Sequence, residues 1–157
     1  MPTRNTVPSA RPRLPELRLS VQYPVGKDRA PTRPQVRRWV RAACATPAEV
    51  TVRFVGGEEG RSLNRDYRKK DYATNVLSFP YESGARLGGD LVLCLPVVEN
   101  EAGEQRKSLE AHFAHLIVHG MLHLQGYDHE TGNADAERME AIEREIMDAL
   151  GYPDPYA

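Results

Sequence analysis

Cysteine is almost missing from this chain. Cys44 and Cys94 are the two it has, and they form no CxxC arrangement. A disulfide-stapled secreted scaffold is therefore excluded, and a reducing cytoplasm is the expected compartment. Long hydrophobic runs are missing as well. No apolar stretch approaches the ~18–20 residues that a membrane span needs, and the first residues lack the apolar core of a signal peptide. No membrane partner is expected. Net charge is nearly absent, at −1, but only because two opposite halves cancel. Between Lys27 and Lys70 there are twelve Lys/Arg against five Asp/Glu, a local net of +7, whereas Tyr127 to Ala157 holds nine acidic and two basic residues, a local net of −7. Such asymmetry fits a polyanion meeting one face while the other repels it, although solvated helix faces produce the same pattern.

What is present is an ordinary globular composition, 40% hydrophobic and 27% charged over 157 residues, enough for one domain with a real core. Residues 1–16 are rich in Pro, Arg, Ser and Thr and read as a flexible tail, leaving 17–157 as the domain. Leu17, Leu19, Val21 and Tyr23 alternate with polar residues as a half-buried strand does. Val36, Trp39, Val40 and Ala43 recur at helical spacing, with Trp39 a core anchor. Val50, Val52 and Phe54 predict a second strand, and a helix over about Glu58–Tyr67 should bury Leu63 and Tyr67. Val76–Phe79 and the continuously apolar Leu91–Leu95 predict two more strands, the second central in the sheet. Helical periodicity then runs from Pro96 to near Gly103, from Ser108 through His123, and from Ala134 to Leu150, where its charged positions, Glu140 and Glu143 among them, read as a solvated acidic face. This order predicts an α+β fold: a single-domain sandwich of a mixed, roughly four-stranded sheet with helices, with a metal site on a late helix and the following turn.

That site is carried by His119-Gly120-Met121-Leu122-His123-Leu124-Gln125-Gly126-Tyr127-Asp128-His129. Histidines four apart project from one helix face with Cβ atoms roughly 5–6 Å apart. That separation lets two ring nitrogens reach one ion at about 2.0–2.1 Å. Gly126 is a natural helix stop, and the turn after it can bring His129 back as a third ligand. Three neutral histidines leave a fourth position open, as catalytic rather than structural zinc does. Zinc peptidases with this spacing read HExxHxxGxxH, with the glutamate as general base. Gly120 stands in its place here. Without that base a peptidase forfeits about 10²–10⁴ in rate, so peptide hydrolysis is a poor fit.

Other residues are open to two readings. His115 lies on the same helix face, about 6 Å further from the third ligand along the axis, better placed to hold an imidazole or substrate than the ion. His112 reads as a satisfied, partly buried histidine. Asp128 either caps the turn or orients an imidazole and takes a proton from metal-bound water. Arg68 either complements a helix dipole or offers a planar fork to phosphate.

HGMLHLQGYDH resembles the signature of the YbeY family, bacterial zinc-dependent endoribonucleases of ribosomal RNA maturation. LNRDYRKKDYATNVLSFP and Gly89-Asp90-Leu91-Val92 are similar to further family segments, and the likeness spans Leu17 to Tyr152. The resemblance implies one zinc ion per chain on His119, His123 and His129, with a functional Arg68 facing it across a cleft. It places Arg65, Lys69 and Lys70 beside that cleft as RNA-binding residues, with His115 a candidate for substrate positioning or proton shuttling. It implies single-strand-specific cleavage that matures the 3′ end of 16S ribosomal RNA and serves ribosome quality control. The expected partners are the small-subunit ribosomal RNA precursor and small-subunit ribosomal proteins or assembly factors. Two alternatives are a non-enzymatic, zinc-stabilised ribosome assembly factor and a metalloprotease using Asp128.

Overall fold

A computed structural model of the chain describes residues 14–81, 87–128 and 132–157. Its elements run β1 (Leu17–Gln22), α1 (Arg33–Ala43), β2 (Ala48–Val55), α2 (Gly57–Arg68), β3 (Val76–Pro80), β4 (Leu87–Cys94), α3 (Leu95–Glu104), α4 (Leu109–Leu124) and α5 (Asn133–Leu150). The strands form one mixed sheet in the order β1-β2-β4-β3. β1, β2 and β4 are parallel neighbours and β3 runs antiparallel to β4. The apolar run in β4 is thus paired on both sides, as its composition predicts, while β3 forms a sheet edge. Leu95, expected to end that strand, instead opens α3, because Pro96 in the first helical turn gives up an N–H that has no helical partner anyway.

Alternation sorts the strand residues onto two faces. Val50, Val52, Phe54, Leu91 and Leu93 join the main core beneath α1, α4 and α5, together with Trp39, Phe113, Ile117 and Met121. Val55, Val92 and Cys94 face the other way into a smaller cluster with Leu77, Leu63 and Phe79. The result is a single α+β domain. Trp39 is fully buried and its indole Nε1–H donates to the Tyr152 hydroxyl at 3.1 Å, so the ring anchors α1 as expected. Of the expected tail, residues 1–13 lie outside the described residues. Residues 15 and 16 already join the domain, since the Pro15 carbonyl accepts from Arg41 at 3.0 Å and the Glu16 carbonyl from the Ala48 N–H at 3.0 Å.

α4 is the element on which the site depends. Eleven of its sixteen residues are buried, so it is apolar nearly all round rather than striped. Ser108 caps its start, its hydroxyl accepting from the Ala111 N–H at 3.0 Å. Its end closes as the sequence predicts. Gly126 takes φ +97°, its N–H reaches the His123 carbonyl at 3.0 Å, and the Tyr127 N–H reaches the Leu122 carbonyl at 3.1 Å.

Candidate active site

Helical spacing brings the first two predicted ligands together. The Nε2 atoms of His119 and His123 lie 3.0 Å apart. Two imidazole nitrogens on one tetrahedral ion at 2.0–2.1 Å would be separated by about 3.3 Å, so the pair needs little adjustment to share a metal. The other nitrogen of His119 is held from behind: Nδ1 hydrogen-bonds to Glu143 Oε1 from α5. A carboxylate accepting there fixes Nδ1 as the donor and leaves the Nε2 lone pair pointing at the cleft, the arrangement that orients metal-binding imidazoles. The donor chemistry therefore fits a metal ion.

Glu143 is completely buried. Its second oxygen, Oε2, accepts from the Tyr156 hydroxyl, and His115 Nε2 lies 3.6 Å from the same oxygen. Burial alone would raise its carboxyl pKa, but the imidazoles of His115 and His119 and the Tyr156 hydroxyl outweigh burial and hold it at about 2. Conversely, burial first and the neighbouring carboxylate second push the Tyr156 hydroxyl far above its ordinary value. Among the described residues, His115, His119 and Glu143 offer ligand atoms within 4.8 Å of one another, a set that could hold a metal ion. Both oxygens of Glu143 are already engaged, however, so its role in this arrangement is to orient His119.

Expecting Glu143 on a solvated acidic face is thus corrected. A signal was present in the sequence: Met139, Glu143 and Met147 share one stripe at steps of four, and all three are buried. An acid on the apolar face of a helix requires a partner, and His119 with Tyr156 supplies it. Tyr156 itself carried no local signal, because the last residues return to the site only through tertiary contacts. The Pro155 carbonyl accepts from Lys107 Nζ at 2.8 Å, and the Tyr156 ring meets His115 edge-on with centroids 5.3 Å apart.

In front of the paired imidazoles runs a cleft of about 700 Å³. Residues 74–80, which lead into and form β3, line it with Tyr67 and Arg68 from the end of α2 and with His119, His123 and Asp128. Arg68, His119, His123 and Asp128, singled out separately in the sequence, thus share one cavity. The loop that presents Arg68 is tied down from both sides. Lys69 turns through the left-handed region (φ 61°), Arg61 pairs with Asp71 at 2.8 and 2.9 Å, and buried Asn64 donates Nδ2–H to the Tyr72 carbonyl at 2.6 Å. Tyr67, expected to be buried, is 66% exposed, its ring resting against Phe79.

Four other expected residues, Arg65, Lys69, Lys70 and His115, fall outside that cavity. Arg65, Lys69 and Lys70 are exposed next to it in the chain without lining it. His115 faces a second cavity of about 330 Å³ behind His119, shared with His112, Glu101 and Tyr156. His112 is buried and bonds Glu101 at 2.9 Å. His129, the expected third ligand, lies outside the described residues.

Gly120, where zinc peptidases carry their base, has a packing reason. A Cβ there would lie 2.8 Å from Leu91 Cδ2 and 3.3 Å from the Ser78 hydroxyl, so α4 sits against the sheet at this point and a glutamate would be forced into the core. That speaks against a peptidase on steric grounds as well as chemical ones.

Comparisons with known proteins identify the family and the fold. Residues 28–151 match the model of the family described as endoribonuclease YbeY. The chain is 61% identical over 144 residues to endoribonuclease YbeY of Aromatoleum aromaticum, covering 90% of this chain and 93% of that one. It is 59% identical over 148 residues to the protein of the same name from Methylibium petroleiphilum, covering 94% and 99%. The solution structure of TM1509 from Thermotoga maritima superposes with a TM-score of 0.54 at 25% identity, covering 88% of this chain and 97% of that one. No helix among the described residues is long and apolar enough to cross a membrane. With most of its length matched in sequence and its fold matched in space, the chain belongs to the YbeY family of endoribonucleases.

Proposed function

We propose that this protein is a zinc-dependent, single-strand-specific endoribonuclease that matures the 3′ end of 16S ribosomal RNA and contributes to ribosome quality control in the cytoplasm. The observation that carries the chemistry is the shared cleft, which the exposed Arg68 lines together with two converging imidazoles and the Asp128 carboxylate. His119, His123 and His129 would hold one zinc ion per chain. Bound there, zinc supplies Lewis acidity and lowers the pKa of coordinated water towards ~7.

The residues of the chain do the rest. A phosphodiester places negative charge on its non-bridging oxygens, and that charge grows in the transition state. Arg68 meets those oxygens with two parallel N–H donors, a geometry that lysine cannot reproduce. Asp128, which lines the same cleft as the histidines, would take the proton released by the attacking oxygen. Glu143 keeps the His119 proton on Nδ1 throughout. The exposed Lys69 and Lys70 extend positive charge beyond the cleft, where flanking phosphates of a single strand would pass. Small-subunit ribosomal proteins or assembly factors would then present the precursor RNA.

The test pairs metal-stripped and zinc-restored protein with structured and unstructured RNA, beside Arg68→Ala and His119→Ala purified identically. Arg68→Ala should keep its zinc and lose roughly 10–150-fold in cleavage, the loss expected for a charge-assisted contact of about 1.5–3 kcal/mol. Normal cleavage by Arg68→Ala would reduce the arginine to a helix-end cation and favour an assembly role without catalysis.

A further inference from the structure

Large aromatic side chains left in solvent occur singly on many surfaces and need no explanation there. Tyr67 differs in its placement and its support. It is 66% exposed, yet it lines the cleft next to Arg68, and its ring packs on Phe79 with centroids 5.0 Å apart at 65°. Phe79 is half-buried in the edge strand and belongs to the small core cluster beneath α2, so the tyrosine rests on a fixed support. With two-thirds of the residue in solvent, a ring face remains available. Tyr72 and Tyr81 are also exposed, but neither lines this cleft.

We propose that Tyr67, backed by Phe79, is a stacking platform for an unpaired nucleobase of the RNA strand whose phosphate Arg68 binds. A nucleotide presents an anionic phosphate and a flat π-face joined through its ribose. Adjacent residues at the end of α2 present the complementary pair, a guanidinium and an aromatic ring. Because every base has a π-face, such a platform tolerates any sequence, but it requires a base freed from pairing and stacking. Selectivity for single strands is then built into the cleft by shape. A duplex would bring phosphates to Arg68 while leaving the tyrosine without a partner. This inference rests on the reading of the cleft as an RNA site.

The test measures binding and cleavage of a short unstructured oligoribonucleotide by Tyr67→Ala, Tyr67→Phe and Tyr67→Trp, with Arg68→Ala in parallel. A second oligonucleotide lacks one base beside the cleaved phosphate. Tyr67→Ala should weaken binding of the intact strand about 5–150-fold, the range that loss of one base–aromatic stack produces. Tyr67→Phe and Tyr67→Trp should retain wild-type binding within about threefold, because stacking needs the ring and not the hydroxyl. All three should melt within about 2 °C of the wild type, since the residue is exposed. The abasic strand should bind the wild type less well and cost Tyr67→Ala nothing further, as two halves of one contact must. Unchanged binding by Tyr67→Ala, or losses that add with the abasic strand, would overturn the platform while a defective Arg68→Ala left the RNA site standing. Failure of the wild type to bind or cleave RNA would overturn both.

Discussion

At the scale of single residues, the buried acid on α5 is the most consequential. Glu143 joins His119, Tyr156 and, more loosely, His115, and it has no contact with solvent. Removing it leaves two polar partners in the interior with nothing to bind, at about 1–3 kcal/mol each. It also frees the His119 imidazole to rotate. Glu143→Ala should therefore bind zinc about 10–100-fold more weakly than the wild type, the loss typical when the group behind a ligand is removed. Tyr156→Phe should show a smaller loss in the same direction, since it withdraws one donor and leaves the His119 contact intact. Competition against a chromophoric chelator measures both, and equal zinc affinity in all three proteins would reduce the carboxylate to a fold-stabilising group. Gly120 makes a related point by its smallness: any side chain at this position would run into Leu91.

At the scale of elements, the loop between α2 and β3 decides where Arg68 stands, and its two ties differ in worth. The Arg61–Asp71 pair is bidentate, but each side chain is 58% exposed, and solvent screening leaves such pairs little weight in stability. The Asn64 tie comes from a fully buried side chain, and losing its hydrogen bond to the Tyr72 carbonyl costs about 0.5–1.5 kcal/mol. Asn64→Ala should thus lower both melting temperature and RNA cleavage, whereas Arg61→Ala should leave both nearly unchanged. If Arg61→Ala impaired cleavage as much as Asn64→Ala, Arg61 would have to contact RNA itself. Element boundaries were largely legible in the sequence because periodicity is a local property. The strand and helix patterns match the observed elements, and Gly126 stops α4 as its position foretold. The misreadings, Tyr67 and Glu143, were of which face meets what. Helical spacing placed Tyr67 with Leu63, but α2 ends at the sheet edge, where among the described residues the ring rests on Phe79 and stays 66% exposed. For Glu143, charge argues for the surface and position for the interior. Its stripe had already put it inside, and the histidine it meets comes from another helix.

At the scale of the whole molecule, the opposed charges of the two halves have a mixed meaning. Of the basic residues between Lys27 and Lys70, Arg68 is the one that lines the cleft. Arg33, Arg38 and Arg41 on α1 instead donate to the carbonyls of Val21, Leu150 and Pro15, tying the helix to its neighbours. Much of the positive half is therefore structural. Acid sensitivity is also distributed, and His112 contributes to it. Burial lowers its pKa below the ordinary 6.5, outweighing Glu101, which acts in the opposite sense. A histidine depressed in the folded state takes up its proton more readily when unfolded. Its share of stability is thus complete above pH 6.5 and is lost as pH falls from there towards the folded value. Melting curves between pH 7.5 and 5 should accordingly show a decline that His112→Gln flattens. A parallel decline in both proteins would assign the acid limb to other groups.

The two buried thiols, noted first for their scarcity, are also clocks. Cys94 sits in the small cluster beneath α2, its sulfur within 3.0 Å of where a side chain on Gly60 would begin, and burial raises its pKa further. Cys44 lies in the main core at the end of α1. Alkylation of either in the folded protein must wait for its own layer to open, since only an exposed thiolate can attack the reagent. The cluster under α2 is the smaller, so Cys94 should label through partial openings that lift α2, with a free energy below that of global unfolding. Cys44 should label at the global rate. RNA seated against Arg68 would slow the first clock and leave the second nearly unchanged, giving the binding cleft a readout that requires neither cleavage nor metal.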